Sequence, residues 1–363
     1  MRIFHCDHCG RLIFFENTRC THCGHVLAYL PDVAQMGSLD PGQDGLWRSP
    51  LAVTNGHTYR QCANDTGYKV CNWAVVASDP HAFCIACRLT RVVPNLEVPE
   101  HREAWYRLEV AKRRLVYTLL SLGLPLANKQ DDPLNGLAFD FLADAPQASR
   151  MPVLTGHARG IITINTAEAN ETERERRKAE FHEPYRTLLG HFRHESGHYY
   201  WDRLIKDHVR LEAFRRLFGD ERQDYARALR RHYETGANPD WNEHFVSGYA
   251  SAHPWEDWAE TWAHYLQMTD TLETAAASGL SIRPSRADEP FLYQAPPGAA
   301  GSPRASFDRL IDCWFPLTYV LNNLSRGLGL PDAYPFVLSP LAIQKLRFVH
   351  ETIAGTSRAI EPQ

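Results

Sequence analysis

The sequence predicts an α+β protein, in which two small cysteine-built β modules precede a mainly helical domain with a small sheet. Three observations carry this expectation. Eight of the nine cysteines stand in the first 87 residues, most of them in C-x-x-C pairs. From residue 100 onward, apolar residues recur at helical spacing through stretches rich in Arg, Lys and Glu. Within that second region lies one short β-branched run, residues 160–165, bounded by turn residues.

Composition narrows the function. A chain of 363 residues holds two to three domains, read here as residues 1–30, 45–98 and 99–363. With 44 % apolar and 23 % charged residues it reads as globular. The net charge of −4 argues against coating nucleic acid or an anionic membrane. No apolar run is long enough to span a bilayer. The first residues show no basic region followed by an apolar stretch, so no secretion signal is expected. Thiolates held for metal require a reducing compartment, which points to the cytoplasm.

Cys6-x2-Cys9 and Cys20-x2-Cys23 are paired knuckles whose backbones turn four sulfurs toward one Zn²⁺, the pattern of a zinc ribbon. Gly10 and Gly24 follow each knuckle, where a positive φ is needed. Phe14 and Phe15 are expected to fill a core too small to fold without metal. A redox dithiol is disfavoured, because no βαβ pattern surrounds either pair. Residues 32–44, with Gly37, Pro41 and Gly42, read as a linker. A second quartet, Cys62, Cys71, Cys84 and Cys87, predicts another structural zinc packed by Asn72, Trp73 and Phe83. Buried free thiols, or a site drawing on His57 or His81, are the alternatives.

Trp105, Leu108, Ala111, Leu115, Leu119 and Leu122 mark a long amphipathic helix ended by Gly123 and Pro125. The run 160–165 is either an edge strand able to pair with an extended peptide or a plain core strand. Residues 168–183 carry dense charge of both signs, read as a solvated helical face. Pro184 suits the first turn of the next helix.

That helix carries His194-Glu195-Ser196-Gly197-His198. Histidines four positions apart project from one face about one turn apart, so both can bind one Zn²⁺. Glu195 then lies where a general base belongs, beside the metal's water. Two histidines need a further ligand, and candidates cluster in residues 247–266. Pro254 opens a helix on which Glu256 and Glu260 share a face, with Trp255, Trp258, Trp262 and Leu266 on the packing side. Glu256 ranks first as ligand, followed by Glu260, His264 and His253. Glu260 can instead accept the outer N–H of a ligating imidazole and so fix its tautomer.

These blocks together resemble the bacterial zinc-binding metallopeptidase family that carries an N-terminal zinc ribbon. The knuckles, residues 185–204 and residues 253–266 carry the likeness, which extends from about residue 6 to 280. More distantly, the two later blocks are similar to gluzincin proteases of the lethal-factor type. There an E-x-x-A-E helix supplies the zinc ligand from its first Glu, and a Tyr seven residues upstream faces the reaction centre. The resemblance implies a zincin metalloprotease domain with Glu256 as ligand, Ala259 and Glu260 completing the pattern, and Tyr249 as the oxyanion donor. Asp257-Trp258 departs from the two aromatics of that pattern, and 57 residues separate His198 from Glu256.

The expected function is zinc-dependent peptide hydrolysis, with one catalytic and two structural zinc ions and a peptide or protein substrate. Two rivals use the same residues: a protease recruited to DNA or nucleoprotein through the ribbons, and a non-catalytic adaptor stabilised by three zincs. No run of Lys and Arg interleaved with aromatics supports the former. Beyond the site, residues 283–304 hold five prolines and read as a tethered surface loop or a lid. Leu310, Cys313, Trp314, Leu317 and Leu321, and then residues 341–353, show helical spacing, with Cys313 as a buried thiol.

Overall fold

The computed structural model describes residues 1–144, 153–174, 176, 187–286, 288, 289, 291 and 306–360. The cysteine-rich region comes first. Strands β1 (Phe4–His5) and β2 (Leu12–Ile13) form the hairpin of the first knuckle. Five antiparallel strands follow in sheet order β3 (Val26–Leu30), β4 (Gln35–Pro41), β5 (Trp47–Arg48), β6 (Thr58–Gln61) and β7 (Ala74–Val76). Helix α1 (Ala63–Tyr68) bridges the last two.

The linker expectation is overturned here. Residues 35–41 are strand β4, in full register with β3 from Leu30↔Gln35 to Val26↔Leu39. Asp7 of the first knuckle accepts the Ser38 N–H at 2.7 Å and the Ser49 hydroxyl at 3.1 Å, which binds the hairpin to the sheet. Turn-forming residues misled the reading because Gly37 is needed in the strand itself. A Cβ there would stand 2.8 Å from Leu30 Cδ1. Two packing expectations also fail: Phe14 and Phe83 are exposed, whereas Phe15 and Trp73 are buried.

Helix α2 (Pro99–Ser121) buries Trp105, Leu108, Ala111, Leu115 and Leu119 as its periodicity predicts, with Leu122 buried at its C-cap and Gly123 at φ 66° just beyond. A four-stranded sheet lies beside it in the order β10 (Gly156–Ala158), β11 (Ile161–Asn165), β9 (Ala138–Leu142), β8 (Thr90–Val92). Strand β11 is interior, parallel to β9 and covered on its other side by β10. The core-strand alternative therefore holds, and among the described residues β10 is the edge strand on the side of the motif. Glu168 is not solvated: it is fully buried, 3.3 Å from His191. The rest of that charged segment lies partly outside the described residues, as do residue 184 and most of 283–304.

Helix α3 (Leu188–Leu204) carries the motif and begins after Pro184, at a cap the sequence reading missed. The Thr187 hydroxyl accepts the Gly190 N–H at 3.0 Å. Helices α4 (Leu211–Phe218), α5 (Tyr225–Thr235) and the short α6 (Trp241–His244) lead to α7 (Pro254–Ala277). Pro254 opens α7 as expected, with His253 as N-cap. Helices α8 (Phe307–Gly327) and α9 (Pro340–Ile360) complete the chain, and Cys313 of α8 is half-buried.

The contact of α3 with α7 positions the site. Ser196 and Gly197, the two unspecified residues of the motif, are the points of closest approach. Trp258 Nε1 donates to the Gly197 carbonyl at 2.8 Å, and Trp262 Nε1 to the Ser196 hydroxyl at 3.1 Å. A Cβ on Gly197 would lie 2.8 Å from Ala259 Cα. Gly197→Ala should therefore push the helices apart and cost about 1–3 kcal/mol, an overpacking penalty, read as a lowered denaturation midpoint. Unchanged stability would show that the helices tolerate a wider separation.

Candidate metal centres

Three groups of side chains bring their potential ligand atoms within 4.8 Å of one another: Cys6, Cys9, Cys20, Cys23; Cys62, Cys71, Cys84, Cys87; and His194, His198, Glu256. In the first, each knuckle closes with a glycine N–H donating to a cysteine carbonyl, Gly10 to Cys6 at 2.7 Å and Gly24 to Cys20 at 2.9 Å. Those glycines sit at φ 72° and 77°. Sulfurs stand 3.7 Å apart for Cys6–Cys23 and 3.6 Å for Cys9–Cys20. Four sulfurs around one tetrahedral zinc at ~2.3 Å are about 3.8 Å apart, so the residues fit that ion. Backbone N–H groups of Cys23 and His22 aimed at the Cys20 sulfur pull its thiol down to about 6, while burial pushes Cys6 up to about 12.

The second quartet is buried, with Cys71 and Cys84 sulfurs 3.7 Å apart. Burial pushes the Cys84 thiol well above its usual range. Four thiolates in such a place need compensating positive charge. Arg113 of α2, 2 % exposed, supplies it: burial opposes its charge, but Cys71, Glu109, Cys87 and Cys84 together raise its pKa. Its Nη1 also donates to the Val70 carbonyl. Glu109 is shared between Arg113 and Lys112, which ties the cysteine cluster to the helix behind it.

The third group is built on α3 and α7. His194 Nε2 lies 3.2 Å from His198 Nε2 and 3.0 Å from Glu256 Oε2. Glu256 Oε1 lies 3.5 Å from His198 Nε2. Ligand atoms at ~2.0–2.1 Å around a tetrahedral zinc are about 3.3–3.4 Å apart, close to the separations of His194 Nε2 from His198 Nε2 and from Glu256 Oε2. His194 Nδ1 stands 2.7 Å from Glu260 Oε1, so its N–H can be given to that carboxylate and Nε2 offered to a metal. Ser247 donates to Glu260 Oε2 at 2.6 Å, so a chain of three residues aims the imidazole. Buried Glu256 Oε2 and Glu195 Oε2 have no aligned hydrogen-bond donor.

The electrostatics ask for a cation. Burial alone would neutralise Glu256, yet the facing His198 and His194 hold it well below the usual carboxylate range. Burial alone would likewise deprotonate His194, but the facing carboxylates of Glu256 and Glu260 push it well above its usual value. Two carboxylates and two imidazoles gathered in one largely buried site would be balanced by a divalent ion without any imidazolium.

Of the sequence candidates, His194, His198 and Glu256 converge, with Glu260 behind His194. His264 and His253 do not join them. His264 contacts the Tyr334 hydroxyl at 2.7 Å, and burial lowers it to about 4. His253 caps α7 by accepting the Trp255 N–H at 3.0 Å. Trp255 is not purely a packing residue, because its ring lies 4.0 Å from that of His198. Tyr249 stands beside the group with its ring 5.9 Å from that of His194, and its hydroxyl engages Tyr233.

Three nearby residues escaped the sequence reading. Tyr225 donates to Glu256 Oε1 at 2.6 Å, and its burial together with the charge of Glu256 pushes its pKa up. Ser247 falls inside the block singled out, with no spacing signal to mark it. His157 of β10 accepts the Gly160 N–H at 3.0 Å with its ring 6.4 Å from that of His198, and burial lowers it to about 3.

Cysteine-quartet β modules joined to a helix pair bearing a His-His-Glu group give the chain three clusters of zinc-ligand type. The chain belongs to the family described as "Putative zinc-binding metallo-peptidase", whose model matches residues 101–352. A zinc-ribbon domain model matches residues 3–98. The chain is similar to proteins named uncharacterized from Mycobacterium bovis and Mycobacterium tuberculosis, each 40 % identical over 363 residues, covering 100 % of this chain and 98 % of the relative. No solved structure matches it. Among the described residues, no helix is long and apolar enough to cross a membrane.

Metal analysis should give three zinc ions per chain, one for each group. His194→Ala and Glu256→Ala should each reduce this to two, and Cys84→Ser should remove a different one. Retention of all three in both α3 and α7 variants would remove the third centre.

Proposed function

We propose that the chain is a zinc-dependent peptidase whose catalytic metal is held by His194, His198 and Glu256. The observation that supports it is the convergence of these three ligands within 4.8 Å while Glu195, on the same helix, is 8 % exposed with an unmatched carboxylate oxygen. Three protein ligands leave a coordination position open, which is what separates a catalytic zinc from a structural one. Bound there, zinc supplies a Lewis acid that acidifies water and polarises a peptide carbonyl.

The remaining chemistry belongs to the side chains. Glu195 takes the proton from the attacking water and returns it to the amine nitrogen as the peptide bond breaks. Tyr249, beside His194, is the proposed donor to the carbonyl oxygen as charge develops on it. Glu260 and Ser247 keep His194 in the tautomer that offers Nε2. An extended substrate chain can pair with the free edge of β10, which runs alongside α3. In this reading the two cysteine quartets hold structural zinc, in line with their fourfold thiolate sets.

Glu195→Gln keeps the size and loses the base. Cleavage of a quenched-fluorescent peptide library should fall roughly 100- to 10,000-fold while all three zincs stay bound. Activity equal to the parent would exclude Glu195 as the base.

A further inference from the structure

The two oxygens of Glu256 meet different surroundings. Oε2 lies 3.0 Å from His194 Nε2 and receives no aligned donor. Oε1 receives the Tyr225 hydroxyl at 2.6 Å. A carboxylate only accepts, so the hydroxyl is the donor. Such a charge-assisted bond engages one of the two lone pairs of Oε1 and makes it the poorer donor to a metal. Oε2 keeps its lone pairs.

Tyr225 is well fixed for this task, although it comes from a lightly held element. It is the first residue of α5, where Asp224 caps the helix by accepting the Arg227 N–H at 3.0 Å. Its ring packs edge-on against His253 at 5.2 Å and Trp255 at 5.6 Å, the start of the same helix that carries Glu256. Yet α5 buries no residue, and it packs on the short turn bearing Tyr249. An exposed helix thus reaches Glu256 through the Tyr225 hydroxyl.

We propose that Tyr225 is a positioning residue that restrains Glu256 to ligation through one oxygen, Oε2. The inference rests on the reading of Glu256 as a zinc ligand. One-oxygen ligation keeps the coordination number low and leaves the open position free for water and substrate. Outer-sphere partners of this kind typically change metal affinity by roughly 10- to 100-fold when removed.

The test uses the full chain and zinc alone as probe, in competition with a chromophoric chelator. Tyr225→Phe keeps the ring packing and removes the hydroxyl, and the residue is 36 % exposed, so the fold should survive. The expected result is a roughly 10- to 100-fold weaker third zinc, with both cysteine centres and the melting temperature unchanged. Glu256→Ala is measured beside it. Should Tyr225→Phe bind the third zinc within about twofold of the parent while Glu256→Ala loses it, positioning by Tyr225 is overturned and the zinc reading stands. Should Glu256→Ala also bind like the parent, the zinc reading itself falls, and the inference with it.

Discussion

Everything at the candidate catalytic centre depends on how closely α3 and α7 approach at Gly197. A glycine in mid-helix costs about 1 kcal/mol against alanine, so its presence needs a reason. The reason is the Ala259 backbone, too near to admit a side chain. Ser196 and Gly197 accept the indole N–H groups of Trp262 and Trp258 from across the interface. Those bonds fix both rotation and height of one helix against the other. With the helices so fixed, both imidazoles face Glu256 in the first turn of α7, and His194 also reaches Glu260 one turn further on. The residues between the motif's named positions therefore set where its named positions point.

Charge buried without water is managed by the same device in several places. Glu109 with Lys112 and Arg113 backs the second cysteine quartet. Asp257, next to Glu256, is paired with Lys345 of α9 at 2.6 Å, and burial still raises it to about 7. Arg193 pairs with Asp270 at 2.6 Å, and Asp270 accepts the Thr118 hydroxyl of α2 at 2.7 Å. Each pair joins different helices or sits behind a metal candidate. Breaking such a pair leaves one uncompensated charge, which is why these contacts fix geometry even where their net contribution to stability is small.

The helical faces and the ligand groups were legible because each follows a short-range rule. Cysteine pairs two residues apart, histidines one turn apart and carboxylates one turn apart announce themselves by spacing. Strand β4 was not legible, because Gly37 and Pro41 have turn character and are accommodated only by neighbours distant in sequence. The beginning of α3 was misplaced for a similar reason: Thr187 is a better start than Pro184 once its hydroxyl is seen to accept the Gly190 N–H. Tyr225 left no trace at all. It lies 31 residues before Glu256 in a helix with no buried face, and only the folded chain brings its hydroxyl to the carboxylate.

The two ends of the molecule share one hydrophobic interior. Phe15, Tyr29 and Trp73 of the cysteine-rich region meet Tyr117 of α2 in a single aromatic group, with ring centroids 5.5 Å apart for Phe15–Tyr117 and 5.9 Å for Tyr29–Tyr117. Tyr117 in turn reaches Glu273 of α7 at 3.1 Å. The ribbons are thus a bolt rather than a flag. A change in their cysteines would be felt along α2 and α7 at the distance of a few side chains.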